Sequence, residues 1–161
     1  MFTAVINNRI TRWCEEKEKL TDNQAGFRSN RSTLDQMFIL HEIIQSRRMR
    51  KQKTYCCFLD LKKAYDTLFR DGLWERLLRI GIKSKLWRIL CNIYDHIESC
   101  IKINGVCTDW FEVLSGVRQG CILSPILFII FIDGLAKAVI DSVLGPKIAC
   151  TLLTSNYLQM T

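Results

Sequence analysis

Apolar positions recur along the chain with two different periods, and the switch between them marks out the elements. Phe2, Val5, Ile6, Ile10 and Trp13 fall at helical spacing, and the charged run Glu15–Lys19 closes a helix predicted within the first twenty residues. The stretch TDNQAGFRSNRST is dense in turn formers and reads as a polar loop. Beyond it, Ser32 or Thr33 can cap a second helix, with Leu34, Met37, Phe38, His41 and Ile44 as its apolar stripe. TYCCFLDL, residues 54–61, is a short aromatic and apolar run ending on an acid, which predicts a buried strand. A helix over Asp71–Ile80 follows, with Gly81 as its C′ residue. Ser84 can cap the next helix, which would bury Leu86, Ile89, Leu90, Ile93 and Ile97.

The period then shortens. SCIKINGVCTDWFEVL alternates about Asn104-Gly105, the residue pair that supplies both positive-φ positions of a type I′ hairpin turn. SGVRQGCILSP is a glycine-bearing loop, and Ser124-Pro125 reads as an N-cap followed by a proline at the first helical position. The helix that follows, ILFIIFIDGLAKAV, is apolar nearly all round at its start and is predicted to be buried. Helices, a strand, more helices, a hairpin and a final helix make an α+β fold with an antiparallel sheet, with no internal repeat and no flexible linker.

Composition narrows the picture in three ways. At 161 residues, 48% hydrophobic and 24% charged, the chain has the make-up of one globular domain, or a piece of a larger one, and not of a disordered or low-complexity segment. Its longest strictly apolar run, Ile126–Ile132, has seven residues where a membrane span needs about 20, so no membrane partner is expected. Asn7, Asn8 and Arg9 stand where a secretory signal would be apolar, which predicts a cytoplasmic or nuclear protein that is not secreted. The eight cysteines contain no C-x-x-C and the histidines are only His41 and His96, so a zinc site is not expected and reduced thiols packed as small hydrophobes are. The net charge of +7 favours a polyanionic partner.

Three segments could carry chemistry. In Phe58-Leu59-Asp60-Leu61-Lys62-Lys63-Ala64-Tyr65-Asp66, an acid closes an apolar run, where it is costly to bury unless paired or bound to a metal. Pairing of Asp60 with Lys62 or Lys63, or a turn cap, is the cheaper explanation on spacing alone. Gln24–Thr33 puts Arg28 and Arg31, with several hydroxyls and amides, on a loop feeding a helix N-terminus, an arrangement that can hold phosphate oxygens or simply be a solvated cap. In Ser115–Pro125, Gly116 and Gly120 flank Arg118-Gln119 and let backbone approach a ligand closely, or else form a plain hairpin-to-helix connection. A basic run, five cations in residues 47–53, either complements a helix C-terminus or tracks phosphates.

Taken in order, QAGFRSNRST, FLDLKKAYDTL and LSGVRQGCILSPILFIIFIDGL closely resemble reverse transcriptases of non-LTR (LINE-type) retrotransposons, over nearly all of residues 2–140. The resemblance implies a partial right-hand polymerase with a small antiparallel sheet packed by helices, residues 1–53 fingers-like and 54–161 palm-like. It implies templated nucleotidyl transfer by an RNA-directed DNA polymerase through a two-metal mechanism, with Mg²⁺ as cofactor and Mn²⁺ as the alternative ion. RNA template, DNA primer and deoxynucleoside triphosphates would be the partners, priming at a nicked chromosomal target. Asp60 matches the first metal-binding aspartate, with the Leu61 carbonyl as second ligand. Tyr65 matches the aromatic gate that excludes a ribose 2′-hydroxyl, and Asp66 a supporting acid. Gln119 matches the glutamine beside the incoming nucleotide, with Gly116, Gly120 and Pro125 shaping that wall and Arg118 as a supporting residue. Arg28 and Arg31 match the fingers motif that approaches template or triphosphate, and Lys62 and Lys63 add positive charge beside Asp60.

The resemblance also requires a Phe/Tyr-Ala-Asp-Asp strand soon after the buried helix, yet no acid follows Asp141. The expectation is therefore a fragment that is inactive alone, lacking thumb and endonuclease, with a non-catalytic nucleic-acid-binding module or an unstable product as alternatives. Tyr157–Thr161 can be encoded TAT-TTG-CAG-ATG-ACN, which read from the third base gives Phe-Ala-Asp-Asp. The hypothesis is that the motif persists out of frame; a Leu158 codon other than TTG, or a Gln159 codon other than CAG, excludes it.

Overall fold

The computed structural model describes the backbone of residues 2–142 and the side chains through residue 138. In chain order the elements are α1 (Phe2–Glu16), α2 (Thr33–Met49), α3 (Arg70–Ile80), α4 (Ser84–Tyr94), β1 (Glu98–Ser99), β2 (Lys102–Ile103), β3 (Val106–Cys107), β4 (Phe111–Glu112) and α5 (Ser124–Ser142). At this level the α+β expectation holds. The out-of-frame reading of Tyr157–Thr161 lies outside the described residues.

The core is built around α5. Leu127, Ile129 and Ile130 are fully enclosed, with Ile126, Phe128 and Ile132 almost so, as an all-round apolar start demands. α3 lies against α5 with Leu73 and Leu77, and α4 against α3 with Leu90 and Tyr94. α1 adds Ile6, Ile10 and Cys14 to the same cluster. Each fully buried aliphatic side chain contributes about 1.5–3 kcal/mol. The inward face of α1 is therefore Ile6–Ile10–Cys14, while Phe2 and Val5 of the expected stripe stay exposed. Gly81 closes α3 in the left-handed conformation, as its position after the last apolar residue predicts. Ser84 does not act as the cap of α4: it is the first residue of the helix, at φ +57°, and Lys83 holds the cap position without a side-chain bond.

Two expectations are corrected. Residues 54–61 form no strand, and Tyr55 and Phe58 are 88% and 74% exposed. A strand exists only where a neighbour completes its hydrogen-bond ladder. Among the described residues the strands pair only with one another, β1 with β4 and β2 with β3. The thiols of Cys56 and Cys57 are exposed with that segment, whereas Cys14 is a buried hydrophobe whose pKa burial pushes up to about 12. The stripe expected on α2 also faces outward: Leu34, Met37 and Phe38 are exposed, and Gln36, Leu40 and Ile43 turn inward. The reason is that α2 touches no other helix or strand among the described residues. Its cap is as expected, the Ser32 hydroxyl accepting from the Leu34 N–H at 3.1 Å.

The hairpin forms about the expected turn, with Asn104 and Gly105 at φ +49° and +86°. Its register sets Ile103 opposite Val106 and Ser99 opposite Phe111. It is not packed by helices: Ile101, Ile103, Val106 and Trp110 are exposed. Only its base is held, through buried Ile97, half-buried Val113 and the Val113 N–H that donates to the Ile97 carbonyl at 2.7 Å.

Candidate functional site

The site grows from a tight turn ahead of α3. The Lys63 carbonyl accepts from the N–H groups of Asp66 and Thr67, at 2.9 and 3.0 Å, and Lys63 sits at φ +51°. The turn buries Leu68, half-buries Tyr65 and leaves Asp66 at the surface. Its outward carbonyls are then used by a loop far along the chain. The Val117 N–H donates to the Tyr65 carbonyl at 2.7 Å, the Gly116 N–H to Leu68 at 2.9 Å, and the Ser115 hydroxyl to Asp66 at 3.1 Å. Gly116 is required for this approach. At φ +79°, an added Cβ would lie 2.5 Å from the carbonyl oxygens of both Tyr65 and Asp66.

Two of the sequence-derived candidates then meet directly. The Gln119 Nε2 donates to the Asp66 carboxylate at 2.9 Å, across 53 residues of chain. An ionised carboxylate only accepts, so this bond fixes which end of the amide faces Asp66 and leaves Oε1 turned away from it. Beside the pair, the Tyr65 ring packs 5.2 Å from Phe128 of α5 and meets Phe27 edge-on at 6.5 Å. Burial raises the Tyr65 phenol pKa, so the ring is a neutral wall. Asp66, Gln119, Arg118 and Ser115 line one side of a cavity of about 750 Å³, whose other side is the base of the hairpin. On the far flank the Ser124 hydroxyl donates to the Arg118 carbonyl at 2.5 Å, so it braces the loop instead of capping its own helix. Pro125 is half-buried in the first turn of α5, and Gly120 sits at φ +78°.

The other candidates stand apart. Asp60, Leu61 and Lys62 are exposed and line a different cavity of about 460 Å³, floored by Phe128, Phe131 and Ile132 of α5. Asp60 enters no ion pair among the described residues, with Lys62, Lys63 or any other cation. Nor do three or more His, Cys, Asp or Glu converge anywhere among them as a metal site. Arg28 is committed internally: it forks onto Glu15 at 3.0 and 2.7 Å and donates to the carbonyls of Thr21 and Gln24 at 2.9 and 3.1 Å. Those bonds hold the Glu15 carboxyl below its ordinary pKa. Arg31 sits further out, paired with Asp22 at 2.8 Å. Of the basic run, Arg48, Arg50, Lys51 and Lys53 are exposed, and Arg47 folds back onto the Lys53 carbonyl at 2.9 Å.

One acid escaped the sequence reading. Asp133, in α5, is fully buried and accepts from both the N–H and the hydroxyl of Thr21 at 2.7 Å. Arg76 and Lys137 complete the cluster at 2.9 and 3.0 Å. Burial alone would raise its pKa, but the Thr21 bonds and Lys137 outweigh that and hold it below the ordinary value. Its signal was a charge inside a helix apolar all round, which has to be paired.

The model of a family described as reverse transcriptase (RNA-dependent DNA polymerase) matches residues 1–156. The chain is 30% identical over 128 residues to a retrovirus-related Pol polyprotein from the type-1 retrotransposable element R2 of Popillia japonica, covering 78% of this chain and 21% of the relative. It is 24% identical over 131 residues to the probable RNA-directed DNA polymerase from transposon BS of Drosophila melanogaster, covering 81% and 14%. The RNA-directed DNA polymerase from mobile element jockey of Drosophila funebris matches with the same identity and coverage. The chain thus spans between 14% and 21% of the length of these relatives. No helix among the described residues is long and apolar enough to cross a membrane.

Proposed function

The chain belongs to the reverse transcriptase (RNA-dependent DNA polymerase) family, and from that premise we propose that it supplies the nucleotide-facing wall of a polymerase from a LINE-type mobile element. The intact protein would add deoxynucleotides to a primer 3′-hydroxyl under the direction of an RNA template, in the cytoplasm or nucleus. The observation that supports this best is the Gln119–Asp66 bond at 2.9 Å, which joins two distant motifs into one surface. In this reading Gln119 lies beside the incoming nucleotide with its amide already oriented. The Tyr65 ring packs against Phe27 and Phe128, which would back it against a ribose 2′-hydroxyl. Arg118, exposed at the cavity, is the cation best placed for phosphate oxygens.

A pair of divalent ions does not fit the described residues. Asp60 is one exposed carboxylate, and no group of three or more His, Cys, Asp or Glu gathers around it among the described residues. We therefore propose that these 161 residues by themselves do not extend a primer, and templated synthesis by the purified chain with Mg²⁺ or Mn²⁺ would overturn that half of the reading. The wall is tested by titrating the chain, with an RNA–DNA template–primer, against a fluorescent deoxynucleoside triphosphate. Binding is expected to saturate and to weaken about threefold to tenfold in Gln119→Ala, the weight of one hydrogen bond. No saturable binding, or equal affinity for the ribonucleotide analogue, sinks the proposal.

A further inference from the structure

We infer that Arg70 is the positioning residue that holds the Gln119 loop in register, an inference that rests on the nucleotide-wall reading of that loop. Arg70 is the first residue of α3, three positions from fully buried Leu73, so its backbone is fixed by the core. Its guanidinium spreads over three carbonyls from two distant segments. Nε donates to Gly116 at 2.8 Å, Nη2 to Ser115 at 3.2 Å and Nη1 to Tyr94 at 3.2 Å. The same group lies 5.7 Å from the centre of the Tyr94 ring. A planar fork with donors in fixed directions can serve all three acceptors at once, which a lysine ammonium on a flexible stem cannot.

The consequence for the loop is two-sided restraint. Its N–H groups at Gly116 and Val117 are held by the Leu68 and Tyr65 carbonyls, and its carbonyls at Ser115 and Gly116 by Arg70. Gln119 follows three residues after Gly116 and its side chain is exposed, so its reach to Asp66 depends on where the loop holds its Cα. From the position the loop gives it, Nε2 lies 2.9 Å from the Asp66 carboxylate. Arg70 lines the same cavity as Asp66 and Gln119 but makes no hydrogen bond to either, so its hydrogen bonds reach the amide through the loop.

The test follows the Gln119 side-chain amide by NMR, assigned by its disappearance in Gln119→Glu, in the full 161-residue chain. Asp66→Ala should move the amide signal from its wild-type position to that of a solvated glutamine. Arg70→Met, which keeps the aliphatic stem and removes the donors, should do the same while unfolding remains cooperative. Should Arg70→Met fail to fold, Arg70→Lys serves with hydrogen exchange: the Gly116 and Val117 N–H groups should exchange about tenfold faster than in the wild type. A Gln119 amide that keeps its wild-type position in Arg70→Met, or unchanged protection in Arg70→Lys, overturns the inference. An amide that responds to Arg70 but not to added deoxynucleoside triphosphate upholds the positioning role and removes the nucleotide-wall reading instead.

Discussion

Asp60 and Asp133 each close an apolar run, after Phe58-Leu59 and after Phe131-Ile132, and they end in opposite surroundings. Asp133 is sealed in the core with Thr21, Arg76 and Lys137 around it. Asp60 lies exposed on an irregular segment and forms no ion pair among the described residues. An acid can be taken out of water only if donors arrive with it. Around α5 they do, because α1, its following loop and α3 converge there. Residues 54–61 meet no ladder among the described residues, so even their apolar side chains remain in solvent. The difference separates an acid that builds the fold from one available for chemistry.

The sharpest way to break that comparison is Asp133→Ala. Removing the acceptor strands a largely buried Arg76 and the Thr21 hydroxyl, and denaturant unfolding should record a loss of about 3–5 kcal/mol. Gly116→Ala comes next: the Cβ collides with two carbonyl oxygens, and the strain should cost about 1–3 kcal/mol in thermal melts while freeing the Gln119 amide. The acid side of the stability curve gives a smaller, signed effect. The folded-state pKa of Asp133 is lowered, so its contribution is complete above the unfolded carboxyl value of about 3.9 and disappears as pH falls through the lower folded value. Melting temperature should therefore drop below about pH 4, and the drop should flatten in Asp133→Asn, once corrected for that variant's lower starting stability. Asp60→Asn should do least, leaving stability within about 0.5 kcal/mol of the wild type. A larger loss would mean that Asp60 is paired in solution after all.

Elements governed by neighbours in sequence were legible. Asn104-Gly105 dictates its turn by backbone preference alone, Gly81 its helix end, and the all-round apolar start of α5 its burial. What depends on distant partners was not. The 54–61 run has strand composition, but composition cannot supply the strand beside it. The α2 stripe has helical spacing, yet spacing says nothing about whether another element will cover it. The same limit applies to the site. Motif order brought forward Tyr65, Asp66, Gly116 and Gln119, which the structure gathers, but a bond spanning 53 residues is invisible in a linear pattern. Asp66, expected only to support, is the acid that orients Gln119. Asp133 was missed although the reasoning that singled out Asp60, a charge at the end of an apolar run, applied to it equally.

The Thr21–Asp133 contact also sets an order of events. It closes a loop of 112 residues, so the N-terminal segment cannot gain that contact until α5 has been synthesised and packed. The bonds of Arg28 to Glu15 and to the Thr21 and Gln24 carbonyls, by contrast, span at most 13 residues and can form locally. The two ends of the described fold are therefore joined late and together, by a carboxylate that tolerates burial only when all of its donors are in place.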